Sequence, residues 1–194
     1  MPYTYETFAQ SSINDEAGTT TTNNIVGHLV ESSNTIRGKY ITQVTFRLRA
    51  DPTTSSGTYY CRVYHKDGTL KHTFGSASMS GLDSSFADYT FTTDYDTAIV
   101  TDDCICIEAS NDNLKLAQRD GDVSPYGHRV RGNSGSSFIL DTSKDIWFSC
   151  EYEDSSGGGS GGGGGGGSSE GEAPTGDGIP QTERLQILST VVPR

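Results

Sequence analysis

The stretch that most constrains the fold is residues 58–74, TYYCRVYHKDGTLKHTF. Tyr59, Cys61, Val63 and His65 alternate with Tyr60, Arg62, Tyr64 and Lys66. A period of two places successive side chains on opposite faces of a strand. Asp67-Gly68 follows, and Leu70, His72 and Phe74 then alternate with Thr69, Lys71 and Thr73. The pattern predicts a β-hairpin with a tight turn whose two central residues, Asp67 and Gly68, both reach positive φ. Such a pairing would set His65 and His72 opposite each other.

The same grammar recurs along the chain. Residues 3–9 read as an edge strand and residues 10–24 as a polar connection. Residues 25–31, IVGHLVE, form a short apolar strand in which Gly27 marks a bulge or a close backbone approach. His28, without a partner motif, is an ordinary interior histidine. In residues 40–49 Val44, Phe46 and Leu48 alternate with Thr45, Arg47 and Arg49, so an apolar face is backed by a basic one that pairs with neighbouring strands.

Residues 75–85 read as a small-residue loop, and Tyr89 and Phe91 as the next strand. Ile105, Ile107 and Ala109 then share a face opposite Cys104, Cys106 and Glu108. Leu114 and Leu116 mark a short strand, residues 118–137 a long irregular segment, and residues 138–140 and 146–153 the last strands. Ile146, Phe148, Cys150 and Tyr152 are the inward side of the final one. No stretch holds apolar residues at helical spacing. The fold class expected is therefore all-β, a two-sheet antiparallel β-sandwich that is jelly-roll-like. A hydrophobic content of only 32% suits such a thin core.

The composition changes abruptly at Asp154. Residues 1–153 make the sandwich domain, residues 154–178 a Gly/Ser-rich linker, and residues 179–194 an apolar peptide. The linker reads as a flexible tether, for which a random coil over residues 155–178 spans roughly 25–30 Å. Leu185, Ile187, Val191 and Val192 are too apolar for an idle tail and too few for a core. They are expected to dock as a C-terminal strand on a sheet edge or groove.

A formal charge of −11 argues against phosphate-backbone recognition, so no nucleic-acid partner is expected. No run of about 18 apolar residues is present, so membrane insertion is not expected either. The first residues lack the basic and apolar regions of a secretory signal. Cys61, Cys104, Cys106 and Cys150 read as free, half-buried thiols that act as small hydrophobes, with a disulfide across the sandwich as the alternative.

Catalytic constellations do not stand out, and a non-enzymatic protein without a cofactor is expected. Residues 132–135 offer only a broken nucleophile-elbow motif. Asp120-Gly121-Asp122 and residues 110–113 are oxygen-rich loops that could hold Ca²⁺, yet neither has EF-hand spacing. The most ligand-like surface is Tyr126, His128, Arg129 and Arg131, an aromatic platform beside planar donors, with Trp147 as a further stacking surface.

The order of the pieces resembles carbohydrate-binding-module-like β-sandwich domains of surface proteins and viral fibre or decoration proteins. The likeness rests on ITQVTF at residues 41–46, the hairpin of residues 57–70, FADYTF at residues 86–91, ICIEAS at residues 105–110 and the closing strand of residues 145–152. These are core patterns, so the resemblance implies a fold and transfers no binding residue. With the tether and apolar end, it implies a virion structural protein, a capsid decoration, turret or fibre subunit. Its partners would be copies of itself or a capsid or fibre protein, and host glycans. The alternative is an extracellular, cell-surface carbohydrate-binding adhesin or strand-exchanged filament subunit.

Overall fold

A computed structural model describes residues 2–50, 56–92, 95–110, 114–121 and 127–154. Their strands are β1 (Tyr3–Glu6), β2 (Asp15–Gly18), β3 (Ile25–Leu29), β4 (Tyr40–Ala50), β5 (Thr58–His65), β6 (Leu70–Ser78) and β7 (Ala87–Thr92). There follow β8 (Asp103–Ala109), β9 (Leu114–Asp120), β10 (Arg129–Gly132), β11 (Ile139–Asp141), β12 (Lys144–Ile146) and β13 (Phe148–Glu153). Two 3-10 turns, Gln10–Ser12 and Met79–Gly81, are the only helical pieces among the described residues.

The strands build two antiparallel sheets, as the alternation predicts. The first is organised by β4, whose length lets it take three partners. β13 pairs with its first half, β9 with its last residues, and β7 overlaps both registers and so holds the opposite edge. β1 extends this sheet beyond β13, and β2 and β12 extend it beyond β9. The second sheet runs β11-β10-β3-β8-β5-β6.

The interior is what the period of two dictates. Ile41, Val44, Phe46 and Leu48 of β4 meet Ile105 and Ile107 of β8 and Cys61 and Val63 of β5 in one buried cluster. Ile146, Phe148, Cys150 and Tyr152 join it, as their alternation requires. Each large side chain so buried contributes about 1.5–3 kcal/mol. On the outer face of β4, Arg47 lies 3.3 Å from Asp88 and Arg49 2.6 Å from Glu16, the charge pairing expected of a basic face. Thr45 and Thr90 share a hydroxyl hydrogen bond of 2.8 Å across the same strands.

Several boundaries differ from the sequence reading. The polar connection at residues 10–24 contains β2, held by β9 rather than by any apolar pattern of its own. Residues 75–78 continue β6, because the small side chains lie on an edge where pairing with β5 needs only backbone groups. The segment at residues 118–137 contains the end of β9 and the whole of β10. The hairpin turn is also not the expected one. Gly68, at φ +89°, is its only residue at positive φ, and its N–H donates to the His65 carbonyl at 2.9 Å. Asp67 keeps an ordinary φ because its carboxylate accepts the Thr69 N–H at 2.8 Å.

All four cysteines are free and fully buried, more deeply than the half-buried thiols expected. Cys61 and Cys150 sit between the sheets, whereas Cys104 and Cys106 face the other way, outward from the second sheet. Burial raises each thiol well above its ordinary range, which keeps them protonated and inert. The linker and the apolar peptide, with Leu185, Ile187, Val191 and Val192, lie outside the described residues, as does Tyr126.

Candidate functional site

The second sheet is apolar on both faces. Every residue of β3 is buried, and β8 is buried throughout except at Glu108. On the face turned away from the first sheet, Ile25, Leu29, Tyr64, Cys104, Cys106 and Val130 form a second cluster. Gly27 lets β3 approach β8 there. A Cβ at this position would lie 2.3 Å from the Ile105 carbonyl oxygen and 2.5 Å from the Cys106 sulfur. The pairing of Gly27 with Cys106 and with Val130 is regular, so close approach rather than a bulge is its role.

The outer cluster is covered in part by the loop of residues 133–138. Gly135 donates its N–H to the Gly68 carbonyl at 2.9 Å, and Phe138 donates its own to the Lys66 carbonyl at 2.8 Å. Gly68 must lack a side chain for this as well as for its φ, since a Cβ would meet the Ser136 backbone at 2.3 Å. The loop thereby lays Phe138 edge-on against Tyr64, their ring centroids 5.6 Å apart.

Beside Phe138 the described residues leave the cover incomplete, and a cleft of about 690 Å³ opens among them. Leu29, Val130, Phe138 and Leu140 give it apolar walls. Its rim carries Glu31, Asp67 and Asp102 against a single ammonium, Lys66. Asp102 holds φ +72°, in the left-handed region that Asp tolerates better than most residues. It is fixed there from two sides. Its N–H donates to the Val30 carbonyl at 3.0 Å, and its carbonyl accepts the Lys66 N–H at 2.8 Å. The Lys66 ammonium then reaches its carboxylate at 2.8 Å. Hydrogen bonds from the Thr69 backbone and side chain hold the Asp67 carboxyl below its ordinary range, with His65 adding to the effect.

β11 forms the cleft's outer boundary. Its one strand partner among the described residues is β10, and it leaves Ile139 53% and Leu140 44% exposed. An edge strand bearing exposed apolar residues is a template for another strand.

The expected ligand surface is dispersed by the fold. Arg129 is buried, donating to Gln118 at 2.9 Å and to Asp141 at 2.5 Å, so its fork is spent inside the protein. Trp147 is 2% exposed and cannot serve as a stacking surface; its indole N–H donates to Glu6 at 2.9 Å. It sits between β12 and β13, its backbone N–H donating to the Ala117 carbonyl at 2.9 Å. Arg131 remains exposed on β10. His128 does not line the cleft, but its Nε2 lies 3.7 Å from Glu31, which does.

His65 and His72 do not face each other. Register shifts in β5 pair His72 with Val63, and the His72 ring stacks on Tyr95 at 4.3 Å while His65 lies 3.2 Å from Asp67. No group of three metal-ligating side chains occurs among the described residues. Two interior groups bear on stability instead. His28 is fully buried against Phe148, and burial, with His128 adding to it, lowers its pKa to about 3. Asp103 is equally buried, with the Lys71 ammonium 2.8 and 2.7 Å from its two oxygens.

The sequence reading missed the cleft itself. Its walls come from four separate elements, and the only local signals were Asp67-Gly68 and the isolated apolar residues Phe138 to Leu140 after a polar loop. Comparison of the chain with protein-family models and with curated proteins gives no match.

Proposed function

We propose that this chain is a non-enzymatic structural subunit that assembles through its apolar C-terminal peptide, as a capsid decoration, turret or fibre protein of a virus particle would. The observation that carries this reading is an apolar edge strand, β11, which among the described residues pairs only with β10 and borders an open cleft. A strand added to a sheet edge gains main-chain hydrogen bonds for affinity and side-chain pockets for specificity. The apolar peptide at residues 179–194 has the composition for that role, and the Gly/Ser-rich linker before it gives reach without imposing an orientation.

Contact with host glycans remains part of the proposal, but its support is narrower than the sequence suggested. With Trp147 and Arg129 buried, a sugar would have to use the cleft, since Arg131 alternates with Val130 and lies on the other face of β10. The test is sedimentation velocity over a range of concentrations on the full chain and on the full-length triple variant Leu185→Asp, Ile187→Asp and Val191→Asp. Concentration-dependent assembly in the parent and its loss in the variant are expected. Identical distributions for the two proteins would reject assembly through the peptide.

A further inference from the structure

We infer that the cleft bounded by β3, β10 and β11 is the receptor for the apolar peptide, and that the occupant is the segment at residues 184–192 of a second copy of this chain. This rests on the assembly reading above and names the surface that accepts the peptide.

Three features of the cleft match three features of that segment. Leu29, Val130, Phe138 and Leu140 form an apolar wall in which Val130 and Leu140 are register partners on the outer face. In the segment, Leu185 and Ile187 have the same parity, so an extended strand would turn both to one side. Among the described residues the rim carries Glu31, Asp67 and Asp102 against the one ammonium of Lys66, an excess of negative charge. Arg184 immediately precedes the apolar run, and residues 179–194 carry two arginines against one glutamate on a chain of net charge −11. Opposite charge at a rim guides register and association rate more than it adds affinity. Finally, β11 presents an edge without a second strand partner among the described residues.

The position where the described chain leaves the sandwich fits reciprocal exchange. Asp154 is held by Lys39 at 2.5 Å, and the Lys39 carbonyl accepts the N–H of Ile99 at 2.9 Å. Ile99 is two residues from Thr101, which lines the cleft. The chain therefore departs from the same end of the sandwich that bears the cleft. Two copies meeting at that end can each supply a peptide to the other, and a two-fold arrangement closes. A tether that spans roughly 25–30 Å as a coil suffices for such an exchange.

The test uses the full-length protein. Hydrogen exchange is followed in peptides covering residues 138–142, in the parent and in the triple variant Leu185→Asp, Ile187→Asp and Val191→Asp. Slower exchange in the parent, by about ten-fold or more and lost on dilution to monomer, is expected. Leu140→Asp, at an exposed position, should weaken assembly by about ten-fold or more while leaving the melting temperature in place. If the peptide variant loses assembly but β11 exchange is unchanged and Leu140→Asp assembles as tightly as the parent, the receptor is elsewhere and only this inference fails. If the peptide variant assembles normally, the assembly reading itself fails. Protection of β11 that persists in a monomer would show the peptide folding back on its own chain and would overturn the exchange.

Discussion

The two faces of the second sheet are both apolar, yet they are finished differently. The inner face is closed by the whole of the first sheet, with Phe46 and Phe148 stacked at 5.7 Å across β4 and β13. The outer face, floored by Ile25, Leu29, Tyr64, Cys104, Cys106 and Val130, is covered among the described residues by the loop of residues 133–138 and its ring, Phe138. Burial on the inner face is a matter of stability. The uncovered remainder on the outer face lies beside an edge strand, and that is where a partner has something to gain. A patch of this kind marks an interaction surface more often than a packing error.

Substitutions on the two faces should separate these roles, beginning with the largest effect. Phe148→Ala, at the centre of the inner cluster, should cost about 3–5 kcal/mol, read as a lower denaturant midpoint with an unchanged slope. An equal loss from Phe138→Ala would break the distinction between the faces.

Acid should act on the inner face next. His28 has a folded pKa of about 3 against an ordinary value of 6.5, because burial opposes its charged form. Above pH 6.5 neither state is protonated there and the histidine contributes no pH dependence. Below it the unfolded chain binds a proton that the folded chain refuses, so stability falls by up to about 1.4 kcal/mol per pH unit until the pH nears 3. Denaturation at pH 7.5, 6, 5 and 4.5 should show this slope, and His28→Gln should flatten it. Asp15 adds a separate loss at lower pH. Its burial raises its pKa, but the Glu16 backbone N–H, Lys144 and Gln118 outweigh that and bring it down to about 2. The stability these contacts supply is present above its ordinary value of 3.8 and disappears as the pH falls towards about 2.

The outer face should respond more weakly. Phe138 is only partly buried, so Phe138→Ala should cost about 1–2 kcal/mol in stability. Leu140→Asp should fall within about 0.5 kcal/mol, since its side chain is exposed, while weakening assembly by about ten-fold or more. A Leu140→Asp protein that unfolds would make the outer wall part of the core and cancel the contrast.

The contrast also explains what could be read from residues alone. Alternation in β4, β5, β8 and β13 predicted two antiparallel sheets and the correct inward faces, because a period of two is a local property. It also placed Cys104 and Cys106 opposite Ile105 and Ile107. β2 and β10 were missed because partners elsewhere in the chain impose them: β9 holds Asp15–Gly18, and β3 holds Arg129–Gly132. Trp147 and Arg129 were misjudged for the same reason. Alternation alone put Trp147 opposite Phe148, and only the fold shows that it is buried there with its indole N–H on Glu6 rather than open to solvent. The cleft was illegible because it depends on where the hairpin turn meets the loop at residues 133–138, residues more than sixty positions apart.

The most direct test is a double-mutant cycle on the assembly free energy of the full-length protein, combining Leu140→Asp on the cleft with Ile187→Asp on the peptide. If the two side chains meet in the assembled state, each change alone should weaken association by ten-fold or more and the pair should be scarcely worse than either. Strictly additive losses would place the two residues in separate contacts and contradict a peptide seated in the cleft.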